Sequence, residues 1–123
     1  MNVRQSNGRK GKKEKLGEAQ LEAVAELFAI LSEPTRLRIL QLLQDGPASV
    51  GEIVDALDLK QANASKQLGI LYQAGVLGRE KEGNTVRYSI KMPLVFDLCG
   101  LVCNSLRAEA EAKLKLLARA GTA

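Results

Sequence analysis

Histidine and tryptophan are absent from this 123-residue chain, and phenylalanine and tyrosine together make up only 3% of it. No nucleophile–base pair and no phosphate-binding loop is visible, so enzymatic activity is not expected. No apolar run approaches the roughly 18 residues that span a bilayer, which excludes a membrane helix. The amino terminus is charged and lacks the apolar core of a signal peptide. A soluble, cytoplasmic protein is therefore expected, with no membrane partner. What is present is enough for one compact domain: 46% of the residues are hydrophobic. With so few aromatics and a long helix expected at each end, part of that apolar surface should be buried between subunits.

The net charge of +4 is unevenly distributed. Residues 1–15 carry Arg4, Arg9, Lys10, Lys12, Lys13 and Lys15 against Glu14 alone. Residues 60–91 carry Lys60, Lys66, Arg79, Lys81, Arg87 and Lys91 against Glu80 and Glu82. The remainder of the chain is net acidic. Positive charge gathered on one internal segment is the pattern expected of a surface that meets phosphates.

Periodicity divides the chain. Residues 1–15, rich in Gly, Lys, Arg, Asn and Ser, read as a disordered basic tail. Leu21, Val24, Leu27, Phe28 and Leu31 recur at three- and four-residue steps, predicting an amphipathic helix over 16–31. Ser32 is the expected N-cap of a second helix, with Pro34 in its first turn and Leu37, Leu40 and Leu43 inward, Ile39 beside them. Asp45-Gly46-Pro47 ends it. Ser49 and Glu52 form a capping-box pattern that opens a short third helix through Leu57, with Ile53, Val54 and Leu57 buried. A fourth helix follows Asp58–Lys60 and should stop at Gly75. Strands are expected over 77–81 and 85–90, joined at Glu82-Gly83-Asn84. Pro93 opens a last helix to about Arg119, leaving 120–123 as a disordered end and 16–119 as the folded domain.

The helix that starts near Gln61 has leucines along one side and polar groups at its amino-terminal end. With Leu68 and Leu71 inward, Asn63, Lys66 and Gln73 point outward, and Gln61 and Ser65 lie on the flank. Ile70 also leaves the leucine stripe and should pack under the hairpin or a neighbouring helix. Gln61 and Asn63 have amides suited to an adenine edge, while Lys60 and Lys66 suit phosphate or guanine. Arg79, Lys81 and Arg87 on the hairpin can reach phosphates or the minor groove. A small helix with a polar tip beside a basic hairpin fits double-stranded DNA. The candidate DNA-contacting set is Lys60, Gln61, Asn63, Ser65, Lys66, Gln67, Arg79, Lys81 and Arg87.

The predicted fold is mainly α with a small β-hairpin (α+β), in the order α-α-α-α-β-β-α, a winged helix-turn-helix. Three stretches, Phe28-Ala-Ile-Leu-Ser-Glu-Pro-Thr-Arg-Leu-Arg-Ile-Leu40, Gln61-Ala-Asn-Ala-Ser-Lys-Gln-Leu68 and Ala74-Gly-Val-Leu77, resemble the ArsR/SmtB family of bacterial repressors. The resemblance covers about residues 20–106. It implies a homodimer that occupies a promoter and leaves it when an inducer binds. The first and last helices are the expected dimer surfaces, setting two reading heads about 34–36 Å apart on a pseudo-palindromic operator. Family members usually have His or Arg where Lys66 and Gln67 stand, so their operators do not transfer.

Cys99 and Cys103 lie four apart, on one face of the last helix. Three readings stand: apolar packing, ligation of a thiophilic ion such as trivalent arsenic, or reaction with oxidants or sulfur donors. The resemblance narrows little here. With no histidine, the zinc site that many relatives carry on the last helix is missing, and Val50–Leu57 lacks the cysteine pair of arsenic and cadmium sensors. Residues 33–44 also lack the second-helix cysteine of sulfur sensors. No cofactor and no metal site is expected beyond a possible ion at the cysteine pair. The expectation is a dimeric transcriptional repressor released by an inducer. The competing readings are a winged-helix regulator controlled by a partner protein or its own abundance, and a protein-interaction or dimerisation module.

Overall fold

The computed structural model describes residues 14–122. The expected basic tail thus falls, for residues 1–13, outside the described residues. Helix α1 spans Glu18–Leu31, α2 Pro34–Leu43, α3 Val50–Leu57, α4 Gln61–Gln73 and α5 Leu94–Thr122. Strands β1 (Ala48–Ser49), β2 (Leu77–Glu82) and β3 (Thr85–Ile90) form one antiparallel sheet in the order β1-β3-β2. Among the described residues, no helix is long and apolar enough to cross a membrane.

Local chemistry explains most boundaries. The Ser49 hydroxyl accepts from the Glu52 amide at 3.2 Å, and Glu52 accepts from the Ser49 amide at 2.9 Å, closing the capping box of α3. Ser32 does not cap α2, contrary to expectation. Its hydroxyl donates back to the Ala29 carbonyl at 2.7 Å and finishes α1. Glu33 takes the cap, accepting from the Thr35 amide at 2.9 Å, one residue ahead of Pro34 at the first helical position. Gly75, at φ +81°, ends α4 and lets Val76 donate to Leu71. The hairpin turns on Gly83 (φ +63°), with β2 running one residue past the strand end expected at 81. The helix expected to stop near 119 runs on to Thr122.

One core joins these elements: Ile39, Leu40, Leu43, Ile53, Leu68, Leu71, Val76, Leu77 and Val95 are all nearly inaccessible. Within α2 the buried stripe is Ile39, Leu40 and Leu43. Leu37, expected inward, is exposed instead, and Ile39, expected at the margin, is fully buried. Arg36 takes the position one turn before Leu40 on the same face, where it is held by hydrogen bonds. On the hairpin, Tyr88 packs into the core while Val86, near the tip, is exposed. Strand β1 pairs Ala48 with Tyr88 and Ser49 with Arg87, tying the hairpin to the start of α3.

Helix α5 is the exception to this compactness. Val95 is buried and Phe96 and Leu98 pack on the core, yet every residue from 101 to 120 is exposed. At 1.5 Å per residue its 29 residues extend about 43 Å. Leu101, Val102, Leu106, Leu114, Leu116 and Leu117 lie bare along it, as do Leu21, Val24 and Phe28 on α1.

Candidate nucleic-acid interface

Helices α3 and α4 are joined by Asp58, in the left-handed conformation (φ 54°, ψ 51°), and by Leu59, whose amide donates to the Val54 carbonyl. This tight turn fixes α4 against α3. Ala64, Gln67, Leu68 and Leu71 form the buried side of α4, at helical spacing. Lys60, Gln61, Asn63, Ser65 and Lys66 are all exposed on the opposite side and at its amino-terminal end. Lys60 and Lys66 form no ion pair among the described residues, so both ammonium groups remain available to an anion. Ile70 faces α1 across a groove shared with Ala29 and Ile30, which answers to the neighbouring-helix expectation.

Gln67 does not belong with the surface set. It is 7% exposed, and its Oε1 accepts from Arg36 Nε at 2.8 Å while its Nε2 donates to Asn63 Oδ1 at 3.0 Å. Helical spacing from Leu71 already places residue 67 on the inner face, and its polar character drew it to the outer one. Arg36 also donates to the Ile30 carbonyl near the end of α1, at 3.1 Å. A continuous hydrogen-bonded path therefore runs from α1 through α2 to the exposed Asn63. Arg36 was missing from the expected site residues, although a charge four before Leu40 on a core-facing stripe is a readable signal.

The hairpin separates its three cations by role. Lys81 is exposed and forms no ion pair among the described residues. The Arg79 guanidinium lies 3.9 Å from the centre of the Tyr72 ring, which stiffens a long side chain that is otherwise exposed. Hydrogen bonding to Tyr88 raises its already high pKa, and the Tyr72 side chain adds to this. Arg87, half-exposed and expected at a phosphate, is engaged with partners within the protein. Its Nη2 donates to the Pro47 carbonyl at 3.0 Å and sits 3.2 Å from Glu52, while Nε is 3.9 Å from Glu82. It clamps the hairpin to α3. The Ser49 amide, and then the Arg87 charge, hold the Glu52 carboxyl below its ordinary pKa of 4.5.

The cysteines lie away from this surface. Cys99 is half-buried and Cys103 exposed, both free. They open on an apolar cavity of about 600 Å³ between α1, α2 and α5, walled by Phe28, Leu31, Leu37, Leu98, Val102 and Leu106. Arg107, one turn along α5, brings Nη2 to 3.8 Å from Cys103 Sγ. Among the described residues no group of three or more His, Cys, Asp or Glu is placed to hold a metal ion.

Comparison with known proteins agrees with this geometry. A model described as a helix-turn-helix domain matches residues 31–78. The uncharacterised helix-turn-helix transcriptional regulator Rv0081 of Mycobacterium tuberculosis is 43% identical over 75 residues, 60% of this chain and 66% of that one. Its crystal structure superposes with a TM-score of 0.71 at 34% identity, covering 80% of this chain and 99% of that chain. A probable mercury resistance operon repressor of Streptomyces lividans is 31% identical over 80% of this chain and 78% of its own length. The homodimeric winged helix-turn-helix DNA-binding domain of Mb0332 from Mycobacterium bovis, described as a possible ArsR-family regulator, gives a TM-score of 0.65 at 28% identity. That alignment covers 77% of this chain and 91% of that one. With its helix order, its three-stranded wing and these relatives, the chain belongs to the ArsR/SmtB family, whose members are winged helix-turn-helix transcriptional regulators and not enzymes.

Proposed function

We propose that this protein is a homodimeric repressor that seats α4 of each subunit in successive major grooves of a pseudo-palindromic operator. The observation that carries the reading is the exposed end of α4, where Lys60, Gln61, Asn63, Ser65 and Lys66 project from a helix whose other side is core. In this placement Gln61, Asn63 and Ser65 face base edges, and Lys60 and Lys66 meet phosphate or guanine. Arg79 and Lys81 take backbone phosphates from the wing, while Gln67 behind the surface and Arg87 beside it act as supports.

Two half-sites need two reading helices, and the bare apolar faces of α1 and α5 supply the joint. Leu21, Val24 and Phe28 on one helix and Leu101, Val102 and Leu106 on the other are too many exposed apolar groups for a free surface. The Mb0332 domain is homodimeric, and the Streptomyces lividans relative is named as a repressor. That relative's mercury operon also favours Cys99 and Cys103 as the inducer site, since two thiols on one helix face, doubled by a partner, suit a soft thiophilic ion. The position of Cys99 in an apolar wall supports a second reading, in which the cysteines only pack and a partner protein or abundance sets occupancy.

Selected-sequence DNA binding by the full chain tests the proposal. A palindromic site with half-site centres about one helical turn apart is expected. Substituting Lys66→Ala should weaken binding to it, and an unchanged footprint and affinity would overturn the placement of α4. Release of the site by mercuric or arsenite ion, lost in a Cys99→Ser/Cys103→Ser variant, assigns the inducer role. Identical behaviour of that variant and the wild type assigns the cysteines to packing.

A further inference from the structure

The path from Arg36 to Asn63 has a direction, because its first member can only donate. A guanidinium has no acceptor, so the atom of Gln67 that meets Arg36 Nε at 2.8 Å has to be the amide oxygen. The Gln67 amino group is then turned the other way. It donates to Asn63 at 3.0 Å, and an amino group requires an oxygen opposite it. Asn63 must therefore direct Oδ1 back along the helix toward Gln67, leaving its Nδ2 amino group as the end that faces outward. Turning over either amide sets donor against donor. At Gln67, only 7% exposed, water has little access to repair the loss. Arg36 is itself fixed by the Ile30 carbonyl at 3.1 Å, so the whole relay is anchored to the end of α1.

An unconstrained asparagine is an ambivalent reader. It offers oxygen and amino group side by side, a match for the N6 donor and N7 acceptor of adenine. In Asn63 one lone pair of the oxygen is already taken by Gln67 and the amide cannot turn over, so the amino group is the freer of its two bonding groups. We propose that Asn63 is a specificity-determining residue that reads its base as a hydrogen-bond donor, preferring guanine to adenine, with Arg36 and Gln67 as positioning residues. Guanine presents two adjacent acceptors, O6 and N7, in the major groove, whereas adenine sets an amino group beside its N7. The adenine match expected from residue type alone is thereby replaced. The inference rests on the proposed seating of α4 in the major groove.

The test is selected-sequence binding with the whole 123-residue chain and three variants of it, Lys66→Ala, Asn63→Asp and Gln67→Leu. The wild type should show one position per half-site at which guanine outranks adenine by roughly tenfold, the discrimination of a good base contact. Asn63→Asp puts an acceptor where the donor stood, and preference there should move to cytosine, whose N4 amino group donates. Gln67→Leu frees the asparagine amide to rotate, and adenine should rise to within about twofold of guanine. Should Gln67→Leu fail to fold, Asn63→Asp, a change at an exposed side chain, still decides the matter. If Lys66→Ala weakens binding while Asn63→Asp keeps the wild-type base ranking, the donor proposal fails and the seating of α4 stands. If Lys66→Ala and Asn63→Asp both leave affinity and ranking unchanged, the seating itself is wrong and the proposal falls with it.

Discussion

Arg87 of the wing and Glu52 of α3 face each other at 3.2 Å, across the joint between the hairpin and the helix-turn-helix. This pair makes Arg87 a clamp, and that distinguishes it from its neighbours in solution. Removing one cation that meets a phosphate should lower the salt dependence of DNA binding by about one unit of log–log slope. Arg79→Ala and Lys81→Ala are expected to do so. Arg87→Ala should leave the slope nearly unchanged and instead speed hydrogen exchange in β2 and β3. A fall in slope equal to that of Lys81→Ala would show that Arg87 leaves Glu52 for DNA.

The same pair sets a pH response. Folding lowers the Glu52 pKa below 4.5, so the carboxylate contributes stability above that value and loses it as pH falls through the lower, folded pKa. Wing protection measured by hydrogen exchange should therefore be level from pH 7 to about 5 and decline below 4.5. In Glu52→Gln this acid-linked loss should shrink. Equal acid sensitivity in both proteins would count against the clamp.

Two glycines near the end of α4 should respond oppositely to alanine. Gly75 has φ +81°, so Gly75→Ala should cost about 1–2 kcal/mol even though nothing lies within 4 Å of the added methyl group. Gly69 is helical with the same open space, and Gly69→Ala should stabilise by up to about 1 kcal/mol. Thermal or denaturant melting measures both. Equal signs would place the end of α4 elsewhere.

Leu68 is fully buried beneath the exposed face of α4. Leu68→Ala should cost about 2–5 kcal/mol in urea unfolding. Since the reading residues share its helix, DNA affinity should fall along with stability. A destabilisation below about 1 kcal/mol would mean that α4 does not rest on this core.

Thiol labelling should divide the cysteines. Cys103 is exposed and Cys99 half-buried, so an uncharged thiol reagent should modify Cys103 first in the monomer. Protection of both on association would place the pair within the subunit joint. Equal rates for Cys99 and Cys103 at every concentration would contradict the burial described above.

How much of this was legible in the sequence depended on whether neighbours or distant groups decided the outcome. Helix α3 was legible because its cap is made within four residues, by Ser49 and Glu52. The stop at Gly75 was equally local. The two-residue strand β1 was not, because Ala48 and Ser49 are strand only by pairing with Tyr88 and Arg87, some 40 residues on. Exposure of Lys60, Gln61, Asn63, Ser65 and Lys66 followed from helix periodicity. The burial of Gln67 and the pairing of Arg87 did not, since each is set by a partner on another element, Arg36 and Glu52. Residue type named the capacity to bond, and only the fold named the recipient.

The bare second half of α5 bears on how much of this protein exists in working form. Residues 101–120 are exposed along the helix, so this half of α5 gains little from burial and leans on propensity. If a second copy covers them, mass action ties helix formation to protomer concentration, and apparent melting temperature rises as the protein is concentrated. Dilution then unravels the far end of α5 and loosens the reading heads together. A cell making this chain sparingly would have not merely fewer repressors but a lower fraction assembled, so that promoter occupancy climbs more steeply than expression.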